Sequence, residues 1–246
     1  ALDQWLNLYE DFVENPETIP ENVREIQPTV FLAVPRIWEK FYSGVTIGLA
    51  EAIGLARLAY KLAIGIGLRM VARYEAGQPI GAGLKAAHWL ARILVLNNVR
   101  KLIGIHRCRF LVTGAAPISP DLVRWYLALG VPMLEVWGQT ESGGGATCMP
   151  VSRIKPGLIG VANAYCEVRL SDEGELLIRG DNVFMGYLNQ PEKTAETINR
   201  DLSDLRAMLA RAVLWGHLHA HPLAKVKREP WSGQSQLRSA SFHDST

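Results

Sequence analysis

The sequence predicts an α/β fold: a mostly parallel sheet flanked by helices, with a small antiparallel β subdomain after it. Three observations carry this. Short apolar, β-branched runs at Thr29–Val34, Phe110–Thr113 and Val131–Val136 are separated by long helical patterns, the order of a parallel sheet crossed by helices. Gly or Pro punctuates each run: Pro28 and Pro35 around the first, Gly114 after the second, Gly130 before the third. Cys166–Leu170 and Leu176–Arg179 are strand-like and joined by Ser171-Asp172-Glu173-Gly174, a hairpin signal. Strands at Thr29–Val34, Phe110–Thr113 and Met133–Val136 are therefore expected in one parallel sheet.

In chain order, Ala1–Asn15 carries a helical apolar stripe of Leu2, Trp5, Leu6, Leu8 and Tyr9, broken by Pro16 and Pro20. Pro20–Ile26 reads as a short helix ended by Gln27-Pro28. After the first strand, Pro35–Lys40 turns into a helix, either with Trp38 in the core and Arg36 and Glu39 in solvent, or with the block bordering a ligand site. Tyr42–Ala76 is long and apolar, but charges interrupt it before the ~20 residues that a membrane span needs. On a helical wheel Lys40, Glu51, Arg57, Lys61, Arg69 and Arg73 fall within about 160°, giving one polar and one broad apolar face. That apolar face either packs on the core or rests on a membrane or a lipid substrate. Gly65 and Gly67 mark the expected kink. Gly77-Gln78-Pro79 ends the segment, and Leu84–Leu102 is the next helix. His88 and His106 stand alone and read as surface or packing residues.

Leu111–Ser142 concentrates the chemistry. Gly114-Ala115-Ala116 has so little bulk that a flat ligand can lie against its backbone. Ser119 and Pro120 suit the N-cap and first position of a helix over Asp121–Leu129. Trp137-Gly138-Gln139-Thr140-Glu141-Ser142 follows the next strand. Ligands of open α/β sheets bind outside the carboxyl ends of strands, and both small-residue turns lie there. Trp137 offers an aromatic face, Thr140 a hydroxyl, and Glu141 a hard carboxylate suited to magnesium. Together they suit a purine nucleotide with its phosphate; the alternative is a strand end with a Gly turn and an exposed Glu. The Gly143–Gly145 run offers backbone amides to an anion, but without GKS/T it is no Walker loop.

TGAAP followed by EVWGQTES resembles the adenylate-forming superfamily, which includes acyl-CoA synthetases, luciferases and peptide-synthetase adenylation domains. GELLIRGDNVFMGYLNQPEKT, at Gly174–Thr194, resembles a further motif of that superfamily. PTVFLAVPRIWEKFYSGV, at Pro28–Val45, resembles long-chain fatty acyl-CoA synthetases in particular. The resemblance implies part of the large N-terminal domain: an α/β part over 1–160 with a helical insertion at 36–103, and a β-rich subdomain over 161–199. It implies an acid–thiol ligase that uses ATP and magnesium to activate a long-chain fatty acid, then passes the acyl group to coenzyme A. By motif match, Thr140 and Glu141 are the catalytic pair, with Thr140 on phosphate and Glu141 on the metal. Trp137 stacks on adenine, Gly114, Ala115 and Ala116 line its pocket, and Glu135, Gly138 and Gln139 complete the wall. The family's TGTTG phosphate loop and TGD segment do not occur in this sequence. The expectation is therefore a piece of a longer protein, inactive alone. The alternative is a non-catalytic remnant that binds lipid or a partner through its apolar helices.

Composition fits a globular protein, with 48% hydrophobic and 20% charged residues. A net charge of +2 gives no sign of a nucleic-acid surface. Three scattered cysteines form neither a disulfide framework nor a zinc site and fit a reducing compartment. The expected location is cytoplasmic, with a peripheral place at a membrane surface left open. Residues 200–246 depart from the superfamily pattern, hold seven Lys/Arg against four Asp/Glu, and are expected to be poorly ordered. A metal site at His217, His219 and His221 is disfavoured for want of a nearby acid.

Overall fold

The computed structural model describes residues 17–170, 176–190 and 192–193. The expectations for the first fifteen residues, the hairpin turn at 171–174, the tail and its histidines lie outside the described residues. The chain divides into two compact units, Ala1–Arg169 with Ile178–Met185, and Leu170–Leu177 with Gly186–Thr246.

Five strands form the main sheet: β1 (Val30–Ala33), β2 (Phe110–Thr113), β3 (Met133–Trp137), β4 (Thr147–Cys148) and β5 (Val161–Ala162), in that order across it. The first three are parallel, with Phe31 opposite Leu111, and Leu111 opposite Met133. This is the expected arrangement. Antiparallel β4 and β5 extend this sheet; β4 was not predicted, and β5 lies at the start of the segment expected to be β-rich. β6 (Cys166–Leu170) and β7 (Leu176–Gly180) form a separate two-stranded sheet. Extended structure was expected to resume at Val183–Leu188, but it does not. Val183 N–H donates to Gly180 O at 3.1 Å, closing a turn, and Gly186 and Asn189 take positive φ, which a strand does not accommodate.

Helix α1 (Ile19–Ile26) precedes the sheet, while α2 (Pro35–Glu51), α3 (Gly54–Glu75), α4 (Ala82–Ala91), α5 (Asn97–Ile103) and α6 (Pro120–Ala128) lie between its strands in sequence. A π-helical turn, Arg92–Leu96, joins α4 to α5. As expected, α6 starts with Ser119 at its N-cap and Pro120 at its first position. The kink expected at Gly65 and Gly67 lies elsewhere. The break is at Ala52-Ile53, whose ψ values of 156° and 150° are extended, and α3 runs unbroken through both glycines. Gly67 serves packing: a Cβ there would collide with the Ala128 carbonyl oxygen of α6. Small residues bring the two helices together, so α3 buries only a narrow seam of Ala63, Gly67 and Val71. The broad apolar face expected of this segment is not buried: Leu55, Leu58 and Leu62 are exposed beside Lys61.

The core centres on Trp38, which is 0% exposed. Its Nε1–H donates to Ala33 O at 3.0 Å, and Tyr126 Oη–H donates to Trp38 O at 2.9 Å. Phe31 and Tyr126 meet the Trp38 ring edge-on, centroids 5.0 and 5.4 Å away. Arg36 and Glu39 are exposed, as expected. Between α3 and α6, Arg124 Nε donates to Glu75 Oε1 at 2.9 Å. His88 is buried with Nε2 3.2 Å from Ala128 O, a packing residue.

Candidate nucleotide site

β2 and β3 are register-paired and parallel, so the loops that leave their carboxyl ends begin side by side. Gly114 follows β2 directly. A Cβ there would lie 2.7 Å from Val136 Cγ2 and 3.0 Å from Val136 O, so only glycine lets this loop run against β3. Ala115 takes φ +66°, a left-handed conformation that costs an L-residue ~1 kcal/mol or more. Ala115 and Ala116 are exposed, leaving a bare stretch of backbone at the sheet's carboxyl edge.

The second loop is a knotted set of local hydrogen bonds. Thr140–Ser142 is a single 3₁₀ turn. Ser142 N–H donates to Gln139 O at 3.0 Å, and Gln139 N–H donates to Ser142 Oγ at 3.2 Å. Gly143 N–H closes on Thr140 O at 3.1 Å and Gly144 N–H on Gln139 O at 2.9 Å. Those two amides therefore complete the turn and are not offered to an anion, a correction to the role expected of the glycine run. The run instead supplies the positive φ values of +67° and +91° that the turn requires. Gly138 has a similar structural use: a Cβ there would sit 2.6 Å from Gly144 O and Gly145 Cα. Thr140 is exposed, while Trp137, Gln139 and Glu141 are half-buried.

Glu135 differs from the other expected wall residues. It is only 9% exposed and receives Gly157 N–H on Oε2 at 2.8 Å. Burial raises its pKa from 4.5 to about 7, and the hydrogen bond from Gly157 opposes that rise. In register it faces Thr113, whose buried hydroxyl has no hydrogen-bond partner. Glu135 thus braces the 151–157 loop under β3. Tyr74 holds the same loop from α3, its hydroxyl donating to Ser152 O at 2.7 Å and accepting from Ile154 N–H at 3.2 Å.

Several residues that hold the second loop escaped the sequence reading. Asn182 Nδ2 donates to Ser142 O at 2.7 Å, and Phe184 N–H donates to Glu141 O at 2.8 Å. Tyr165 Oη and Asn163 Nδ2 both donate to Gly145 O, at 2.6 and 3.1 Å. The one available signal was an amide side chain, Asn182, in the turn-forming Gly180-Asp181-Asn182 stretch. For magnesium, exposed Thr140 and half-buried Glu141 carry hard oxygen donors on one turn. Among the described residues no three His, Cys, Asp or Glu form a cage. That donor set fits an ion that keeps most of its waters and shares phosphate oxygens.

Sequence comparison with known proteins finds clear relatives. Residues 6–188 match the family described as AMP-binding enzyme. A long-chain-fatty-acid–CoA ligase, ACSBG2 of Gallus gallus, is 35% identical over 217 residues, covering 86% of this chain and 26% of the relative. A putative fatty-acid–CoA ligase, fadD11 of Mycobacterium tuberculosis, is 32% identical over 190 residues, covering 77% and 33%. The adenylation domain of a carboxylate reductase from Mycobacterium chelonae superposes with a TM-score of 0.49 at 22% identity, covering 75% of this chain and 25% of that one. The chain thus spans about a quarter to a third of the length of these curated relatives. With a family match over most of its length and paired small-residue loops at the carboxyl ends of adjacent parallel strands, the chain belongs to the AMP-binding enzyme family.

Proposed function

We propose that this chain contributes one wall of the nucleotide site of a long-chain-fatty-acid–CoA ligase. The observation that carries the reading is the placement of Gly114 against Val136, which sets the bare Gly114–Ala116 backbone beside the Trp137–Glu141 turn. The names of the curated relatives support the fatty-acid substrate and the thioester product. In this reading the adenine lies along Gly114–Ala116 with Trp137 against it, and Gln139 and Gly138 complete the wall. Thr140 donates its hydroxyl to a phosphate oxygen. Glu141 would hold a hydrated magnesium ion, whose positive charge would offset the negative charge on phosphate oxygens when the acyl carboxylate displaces pyrophosphate from the α-phosphorus. The hydrogen bonds from Asn182 and Phe184 keep that turn in place before the nucleotide arrives. Glu135 acts from beneath, by bracing the strand that carries the turn.

The test pairs binding with turnover. In the whole ligase, Glu141→Ala is expected to lower magnesium-dependent acyl-adenylate formation by about 10²-fold or more. Unchanged adenylate formation in that variant would remove Glu141 as the metal acid. Residues 1–246 alone are expected to give no thioester from ATP, coenzyme A and a long-chain fatty acid, since losing positioning elements costs more than the ~10²-fold of a ~1 Å misplacement. Turnover abolished by Glu141→Ala would refute that second expectation.

A further inference from the structure

We propose that Tyr74 is a positioning residue for adenylate formation, acting on the 137–141 turn through β4; the inference rests on the nucleotide-site reading above. Tyr74 lies in the last turn of α3, outside both loops of the candidate site. Its hydroxyl donates to Ser152 O at 2.7 Å and accepts from Ile154 N–H at 3.2 Å, across 78 and 80 positions of sequence. One oxygen thus serves a carbonyl and an amide of the same loop, and the loop cannot slide along α3 without losing one of the two bonds. Tyr74 is 41% exposed, so its ring adds little to the core and its hydroxyl is the part that holds the loop.

The direction of α3 brings Tyr74 to the site. α3 runs antiparallel to α6: Gly67 meets Ala128 at the end of α6, and Glu75 meets Arg124 nearer its start, Nε donating to Oε1 at 2.9 Å. Arg124 Nη1 also donates to Asp121 Oδ1 at 2.8 Å, in the first turn of α6. α6 starts from the loop that leaves the carboxyl end of β2, so the last turn of α3 arrives at the end of the sheet where ligands bind. Two neighbouring residues, Tyr74 and Glu75, thereby hold the loop that follows β4 and the helix that follows Gly114, Ala115 and Ala116.

A short path carries this grip to the 137–141 turn. Buried Ile154 packs with Leu134 of β3 and with Met149. Met149 N–H donates to Glu135 O at 3.0 Å. β4 lies antiparallel to the end of β3, Cys148 opposite Val136 and Thr147 opposite Trp137. Ala146 N–H donates to Trp137 O at 2.8 Å. β4 is only two residues long, too short for its own ladder to fix its place, so the anchors on the following loop set where it lies. The turn leaves β3 and returns through β4, and a shift of β4 therefore moves Thr140 and Glu141. In the nucleotide-site reading those two residues meet charge on phosphate and metal, where small misplacements are costly.

The experiment compares Tyr74→Phe, Glu141→Ala and the double variant in the whole ligase, and follows amide exchange in the 246-residue chain with and without Tyr74→Phe. Tyr74→Phe is expected to lower kcat for magnesium-dependent adenylate formation about tenfold, short of the ~10²-fold of a ~1 Å misplacement, with KM for the fatty acid unchanged. In the Glu141→Ala background the same substitution is expected to change the rate less than about threefold, because the main group it positions is gone. In the chain, exchange at the Ala146 and Met149 amides is expected to rise about fivefold, the equivalent of one ordinary hydrogen bond, while α6 stays protected. Unchanged exchange at those two amides, an unchanged rate in Tyr74→Phe, or a tenfold loss that persists in full beside Glu141→Ala overturns the proposal. Full activity in Glu141→Ala alone refutes the nucleotide-site reading, a failure that the exchange experiment separates from failure of the Tyr74 contact.

Discussion

Glu135→Gln isolates the energetic consequence of a buried carboxyl under the site. The native pKa is about 7 against an ordinary 4.5, raised by burial. Below about pH 4.5 both folded and unfolded chains hold the proton, and Glu135 carries no penalty. Between about pH 4.5 and 7 the folded protein keeps a proton that the unfolded chain has released. The unfolded state then binds fewer protons, so stability falls as pH rises, by up to ~1.4 kcal/mol per pH step. Above about pH 7 both states are ionised and the loss levels off near ~3 kcal/mol. Glutamine has the same shape, accepts Gly157 N–H in the same way, and does not titrate. Urea denaturation of wild type and variant, followed by tryptophan fluorescence from about pH 5 to about pH 8, gives the stability difference directly. The variant is expected to gain on the wild type as pH rises, by ~2–3 kcal/mol across the range. A difference that stays constant with pH would refute the reasoning and show that Glu135 is solvated or already ionised in the fold.

Two further outcomes test packing and positioning. Asn182→Ala removes the donor to Ser142 O and is expected to cost ~1 kcal/mol, with hydrogen exchange rising at the amides of Ser142–Gly144 while those of α6 stay protected. Gly67→Ala places a methyl on the Ala128 carbonyl; despite alanine's better helix propensity it is expected to destabilise by ~1–3 kcal/mol, read as a lower urea midpoint with unchanged helicity.

The sequence alone determined the elements whose signals are local. β2, α6 and β3 were legible because Gly114, Ser119-Pro120 and Gly130 punctuate them, and such turn and cap chemistry acts within a few residues. Trp38 was legible as core from its apolar surroundings. The candidate site was legible as a set of residue types on two loops, because the motif lies within one strand–helix–strand unit.

Tertiary structure decided what each of those residues does in the fold. Gly67, Gly114 and Gly138 read alike in sequence, yet each meets different atoms, of Ala128, Val136 and Gly144–Gly145. Glu135 reads as one more acid, but its proton affinity follows from burial beneath Gly157, a neighbour twenty-two positions away. Asn182 reaches Ser142 from forty positions away, a link that no periodicity encodes. The α2–α3 break at Ala52-Ile53 carries no Gly or Pro within it, and the leucines beyond it, periodic like a core helix, face outward. Hydrophobic periodicity shows that a helix has an apolar side; only the space left by its neighbours decides whether that side is covered.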